Sequence, residues 1–169
     1  MTATMHHGRR SLLRAALSLA ALGLGGRIAR AGESVWTTYQ TPEAFIQEAF
    51  AGAPPPVKAI DYEGKKLRYW RANGRSAWIL DDLGKPGYQL TTAGFVVKGG
   101  TIEIAKVLVY RESRGEQVAD PSFLKQLLGA KLAGSAIDKR VDNISGATLS
   151  VQMMQRMAAN ALKLDATAG

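Results

Sequence analysis

The chain has 169 residues, of which 46% are hydrophobic and none is Cys, and its formal charge is +8. That length fits one domain behind an N-terminal leader. Without Cys, and with its only histidines at positions 6 and 7, the body of the chain excludes disulfides, thiolate nucleophiles, zinc–thiolate and iron–sulfur sites and histidine-dependent triads.

Residues 1–31 read as an export signal. They hold Arg9, Arg10, Arg14, Arg27 and Arg30 and no acid. Leu12 to Gly26 form an apolar core with Gly23, Gly25 and Gly26, and Ala29-Arg30-Ala31 is a small-x-small cleavage pattern. The core is too short and too rich in glycine for a membrane span. Gly8-Arg9-Arg10-Ser11-Leu12-Leu13-Arg14 resembles the twin-arginine signal; a general secretory signal that begins with two arginines is the alternative. Either route implies a periplasmic domain from about Gly32, with membrane contact only through partners or an uncleaved leader. Beyond the leader, 17 basic residues face 14 acidic ones. A surplus that small, spread along the chain, is a solvated surface and not a nucleic-acid footprint.

Thr41-Pro42-Glu43 predicts a helix start, with a hydroxyl cap, a proline in the first turn and an acid at the positive end of the dipole. Ala44, Phe45, Ala49 and Phe50 would share its apolar face, and Ala51-Gly52 would end it. Pro54-Pro55-Pro56 is a rigid link. Lys66 to Arg71 alternates, with Leu67 and Tyr69 on one face and Arg68 and Trp70 on the other. Asn73-Gly74 is a strong hairpin turn signal, and Ser76 to Asp81 is the returning strand. Tyr88 to Val97 and Thr101 to Tyr110 predict a second hairpin across Lys98-Gly99-Gly100. A change of face near Ala105 predicts a bulge there. Asp120-Pro121 starts another helix, with Phe123, Leu124, Leu127 and Leu128 apolar and Gly129 near its end. Residues 130–141 are a mixed-charge connection. In the final helix, Leu149 to about Leu164, the residues Val151, Met154, Met157, Ala158, Ala161 and Leu162 recur at helical spacing as core. The order predicts an α+β fold, a single domain with an antiparallel β-sheet and helices packed on it, covering one face.

Chemistry concentrates at the mouth of the last helix, in Asp142-Asn143-Ile144-Ser145-Gly146-Ala147-Thr148-Leu149-Ser150. Ser145, Thr148 and Ser150 are hydroxyls at a helix start, where unpaired N–H groups and the dipole favour an anion. Gly146 and Ala147 let a large group approach the backbone. Asp142 is near enough in sequence to turn back onto the Thr148 hydroxyl. Ser-Gly-Ala-Thr alone would fit an ordinary capped helix. The longer Asp-x-x-Ser-Gly-Ala-Thr-x-Ser resembles the flavinylation motif of the FMN-binding domain family. That family includes the C-type subunits of sodium-translocating NADH:quinone oxidoreductases and the matching Rnf subunits. The resemblance covers about Gly87 to Leu164, and residues 32–169 would be the FMN-binding domain. It implies a phosphothreonyl-FMN, with covalent FMN on Thr148 as cofactor. Asp142, Ser145, Gly146, Ala147 and Leu149 would surround it. It also implies a separate flavin transferase for maturation, using FAD and Mg²⁺.

A second segment, Glu112-Ser113-Arg114-Gly115, leaves the long strand where binding residues often lie. It resembles the Glu-Thr-Pro-Gly-like loop of the respiratory members, with Arg in place of Pro and Glu116-Gln117-Val118 in place of the glycine-rich continuation. Gly115 would permit a tight turn against the ring, Ser113 would bond the ring carbonyls, and Arg114 would stabilise reduced flavin or its phosphate. A solvated exit loop is the alternative. Trp36, Trp70 and Trp78 are either stacking residues or core.

The expected function is an exported electron-transfer flavoprotein, a redox carrier more than a turnover enzyme, with no catalytic side chain and no metal of its own. Its redox partners would be membrane-bound proteins or cytochromes. The alternatives are a flavin-dependent reductase using Arg111, Arg114 and Glu112 toward a small acceptor, and a cofactor-free periplasmic binding module. Because twin-arginine export moves folded proteins and the family's transferase usually acts outside the cytoplasm, either the motif stays exposed after folding or modification happens before export.

Overall fold

The computed structural model describes residues 36–169. The expected leader, with Arg9-Arg10 and Ala29-Arg30-Ala31, lies outside the described residues. Among those described, strand β1 (Thr37–Thr38) precedes helix α1 (Pro42–Ala49), then strands β2 (Lys58–Tyr62), β3 (Lys65–Ala72), β4 (Arg75–Asp82), β5 (Thr91–Lys98) and β6 (Thr101–Tyr110). A 3-10 turn at Glu116–Ala119, helix α2 (Pro121–Leu124) and a second 3-10 turn at Lys125–Leu127 follow. A small hairpin, β7 (Leu132–Ala133) and β8 (Ala136–Ile137), leads to helix α3 (Thr148–Thr167). The sheet order is β1-β6-β5-β4-β3-β2, antiparallel throughout. This is an α+β domain, as the element order predicts.

Local chemistry explains the ends. The Thr41 hydroxyl accepts from the Ala44 N–H at 3.2 Å and Pro42 opens α1, which uses two of the orphan groups at a helix start. Asn73 and Gly74 turn β3 into β4 with φ of +52° and +71°, the geometry a two-residue hairpin demands. The apolar side chains of β3, β4 and β5 alternate between two cores. Tyr69, Trp78, Ala93, Phe95 and Val97 face α3 with its buried Val151, Met153, Met154, Met157, Ala158, Ala161 and Leu162. Ala77, Val96, Leu108 and Val109 face Phe45, Ile46 and Ala49 of α1.

Helices therefore cover both faces of the sheet, which corrects the expectation of one covered face. The reason is Gly94. A Cβ there would stand 2.7 Å from the Phe45 ring, so its absence lets α1 seat against the middle of β5. Within α1, Ile46 is buried where Ala44 was expected, and Ala44 is exposed. The face change in β6 comes from two register shifts, between Ala93 and Thr92 and between Val97 and Val96, which leave Leu108 and Glu103 unmatched. They flank Ala105 rather than fall on it. The helix expected after Asp120 is only one turn before it tightens into 3-10 geometry; Phe123 and Leu127 are buried and Leu128 is exposed.

Three polar ties hold α3 on the sheet. At its far end Asp165 Oδ1 accepts from Arg71 at 2.7 Å and from Ser76 at 2.6 Å, and Ser76 Oγ accepts from the Trp78 indole at 2.7 Å. In its middle Arg156 donates to Asp82 at 3.0 Å and to the Leu83 carbonyl at 2.7 Å. Near its start Ser150 meets Tyr110 at 3.1 Å. Among the described residues no helix is long and apolar enough to cross a membrane.

Candidate functional site

The start of α3 is built by a turn. The Ala147 N–H donates to the Ile144 carbonyl at 2.9 Å, and Gly146, at φ +76°, takes the one position of that turn that disfavours a side chain. The helix begins at Thr148 with Ala147 as its cap residue, which has no side chain to offer; no side-chain hydrogen bond caps the helix and its first turn holds no acid. The early N–H groups of a 20-residue helix are thus left open. Thr148, Leu149, Ser145 and Gly146 are exposed on this end, while Ala147 is buried.

The Thr148 hydroxyl oxygen accepts a hydrogen bond from the Asn143 side-chain amide at 2.9 Å. Asn143, not the expected Asp142, turns back onto it. The Asp142 backbone N–H donates to Gln126 Oε1 at 2.7 Å. Donation from an amide leaves the Thr148 proton pointing away from Asn143 and free to be removed.

Ser150 is 3% exposed and faces inward. Tyr110, at the end of β6 and 2% exposed, donates its phenol proton to the Arg114 carbonyl. Its oxygen lies 3.1 Å from Ser150 Oγ, so the Ser150 proton is directed onto Tyr110. Burial, partly offset by the Ser150 bond and reinforced by Glu112 and Glu116, pushes the Tyr110 phenol from its ordinary 10.0 up to about 12. It stays protonated and remains a donor. Ser150 is therefore a tie between helix and loop and not an anion ligand, which corrects its placement among the hydroxyls open at the helix mouth.

The two segments singled out in sequence do meet. A groove of about 350 Å³ is lined by Ser113, Arg114, Gly115, Glu116 and Gln117 on one side and Ser145 and Gly146 on the other. Arg114 is exposed there and makes no ion pair among the described residues. Gly115 turns at φ +91°, but what it packs against is Ser150 and the Tyr110 hydroxyl, where a Cβ has no room. Glu112 is not in the groove. It is 9% exposed, accepts the Gly84 N–H at 2.5 Å and faces a separate hollow beside Tyr88. Arg111 is likewise engaged, donating to the Leu90 carbonyl at 2.7 Å and Thr92 Oγ1 at 2.8 Å. Asp142, Ala147, Thr148 and Leu149 border the groove in sequence without lining it.

Of the tryptophans, Trp78 is core, stacked on Tyr69 with ring centroids 4.8 Å apart, and Trp36 is 55% exposed. Trp70 lines a larger cavity of about 700 Å³ that also touches Pro42 and Ile46. That cavity lies on the α1 face of the sheet, opposite α3, and takes no part in the motif.

Asn143 and Gln126 are site residues that sequence reasoning passed over. Asn143 stands at a variable place within the motif, and Gln126 touches it only through tertiary contact. Residues 87–163 match the FMN-binding domain family. No curated protein and no solved structure matches the chain.

Proposed function

We propose that this chain, whose residues 87–163 belong to the FMN-binding domain family, is an exported electron-transfer flavoprotein with FMN held on Thr148 through a phosphoester bond. The observation that carries the proposal is the exposed Thr148 hydroxyl at the uncapped start of α3. The residues fit the group. A phosphate bonded to Thr148 would sit beside open helix N–H groups, which stabilise its charge. Ala147 adds no competing oxygen, and Gly146 gives backbone access. Ser113, Arg114 and Gly115 then supply the facing wall of a groove for the ring system. Arg114 lies on that wall and makes no ion pair among the described residues, which suits it to a reduced flavin or its phosphate.

Attachment would exchange the Thr148 Oγ1 proton for the FMN phosphoryl group of FAD, with AMP as the leaving group, and would need an external transferase and Mg²⁺. Asn143 orients the oxygen for that step. Exposure of Thr148, Ser145, Gly146 and Leu149 supports modification of the folded domain, outside the cytoplasm after export. When bound, the flavin supplies the redox chemistry, and the chain supplies the tether, the groove and its electrostatics. A covalent tether suits the periplasm, where a dissociating cofactor would be lost. Electrons would pass to and from membrane-bound proteins or cytochromes. The reductase alternative is weakened because two of its three pocket residues, Arg111 and Glu112, are committed to internal hydrogen bonds.

The test is co-expression with an active flavin transferase, followed by denaturing electrophoresis and flavin fluorescence. A fluorescent band in the wild type that is absent in Thr148→Ala is expected. A dark wild-type band, with a control substrate modified in the same cells, would contradict the proposal.

A further inference from the structure

Three segments meet at one buried pair of hydroxyls. Tyr110 ends β6, Arg114 and Gly115 belong to the exit loop, and Ser150 lies in the first turn of α3. Tyr110 donates to the Arg114 carbonyl and accepts from Ser150. Gly115 completes the fit, since any side chain there would displace both hydroxyls. The loop side and the helix side of the groove are the segments that this cluster ties together. Ser150 sits two residues from Thr148, on the buried side of the same turn.

We propose that Tyr110 and Ser150 are positioning residues that fix the exit loop against the start of α3 and so set the shape of the groove that receives the flavin. The inference rests on the flavin reading above. Its physical basis is that both hydroxyls are almost fully buried, so neither can exchange its partner for water. Removing the Tyr110 hydroxyl leaves the Ser150 proton and the Arg114 carbonyl without partners, and removing the Ser150 hydroxyl strips the Tyr110 oxygen of its donor. The loop can relieve that cost only by moving away from the helix and admitting water, which opens the groove. Tyr110 acts through the loop backbone and Ser150, without touching the ring itself.

The experiment compares wild type, Tyr110→Phe, Ser150→Ala and Ser150→Thr. Tyr110→Phe keeps the packed ring and removes only the hydroxyl. Two readouts are needed. Amide hydrogen exchange on flavin-free protein reports the loop, and iodide quenching with fluorescence anisotropy on flavinylated protein reports the ring. Exchange at residues 113–117 should speed by about tenfold in Tyr110→Phe and Ser150→Ala, the kinetic equivalent of one buried hydrogen bond. In the same two variants the flavin should be more readily quenched and less anisotropic. Ser150→Thr keeps the hydroxyl and should behave as wild type in both. A merely structural role would lower the melting temperature and leave the flavin signals unchanged, and that result would overturn the inference. Unchanged exchange at 113–117 would overturn it as well. Wild-type protein with no flavin on Thr148 would instead sink the parent reading, and with it any role toward a ring.

Discussion

Ala147 is an unusual residue to find where a helix most often places Ser, Thr, Asp or Asn. The cap hydroxyl that would stabilise α3 would also occupy the N–H groups that a phosphate needs. On the proposed function, stability and flavin attachment therefore pull in opposite directions at this one position. Ala147→Ser is expected to raise unfolding stability by about 0.5–1 kcal/mol and to reduce flavin loading by the transferase. Urea denaturation and the flavin-to-protein absorbance ratio check the two signs; equal loading with higher stability would show that the N–H groups are not needed. The turn at Gly146 and the helix start at Thr148 were legible in the sequence because they depend on neighbours along the chain. Asn143 was not, because either it or Asp142 could reach Thr148 from sequence distance alone, and the turn at Ile144–Ala147 decides between them. Glu112 misled for a related reason: the Gly84 amide that captures it lies 28 residues away.

Helix α3 carries the site, and its three ties to the sheet are what make its first turn a fixed platform. The tie at the far end is the most connected, with Asp165 receiving Arg71 and Ser76, and Ser76 receiving Trp78. Asp165→Ala should destabilise the domain by about 1–3 kcal/mol, because it strands a buried serine hydroxyl. Flavin loading at room temperature should stay near wild type, since Ser150 still holds the near end and Arg156 the middle. Loss of loading with stability intact would mean that the helix does not act as a rigid body. On the other face, Gly94→Ala forces a methyl into the Phe45 ring. It should cost about 1–3 kcal/mol by overpacking, measured by the same denaturation. The hairpins, α1 and α3 were readable from turn chemistry and periodicity. Strand β2 was not read, because as an edge strand it shows no clean alternation, and its turn uses Glu63 at φ +49°. The α1 face escaped notice because the decisive residue, Gly94, is informative only when Phe45 is seen above it.

At the scale of the whole molecule, the balance of one buried phenol gives the domain a readable alkaline limit. The fold raises the Tyr110 value from 10.0 to about 12, so it favours the protonated form. That contribution is complete below pH 10 and is lost as pH climbs through about 12. Between those values the wild type should lose stability more steeply than Tyr110→Phe, which has no proton to release; parallel curves from alkaline denaturation would refute the assignment. The same domain presents Thr148, the proposed attachment residue, on the outside and buries the Tyr110–Ser150 tie beneath it, an arrangement that suits the proposed export in a folded state and later modification. The most direct measurement of the central claim is the intact mass of the protein recovered from a host with an active flavin transferase, followed by mapping of the peptide from Asp142 to Arg156. The account predicts a gain of one FMN less one water, confined to that peptide and lost in Thr148→Ala. An unmodified mass, or a flavin mapped to any other residue, would contradict it.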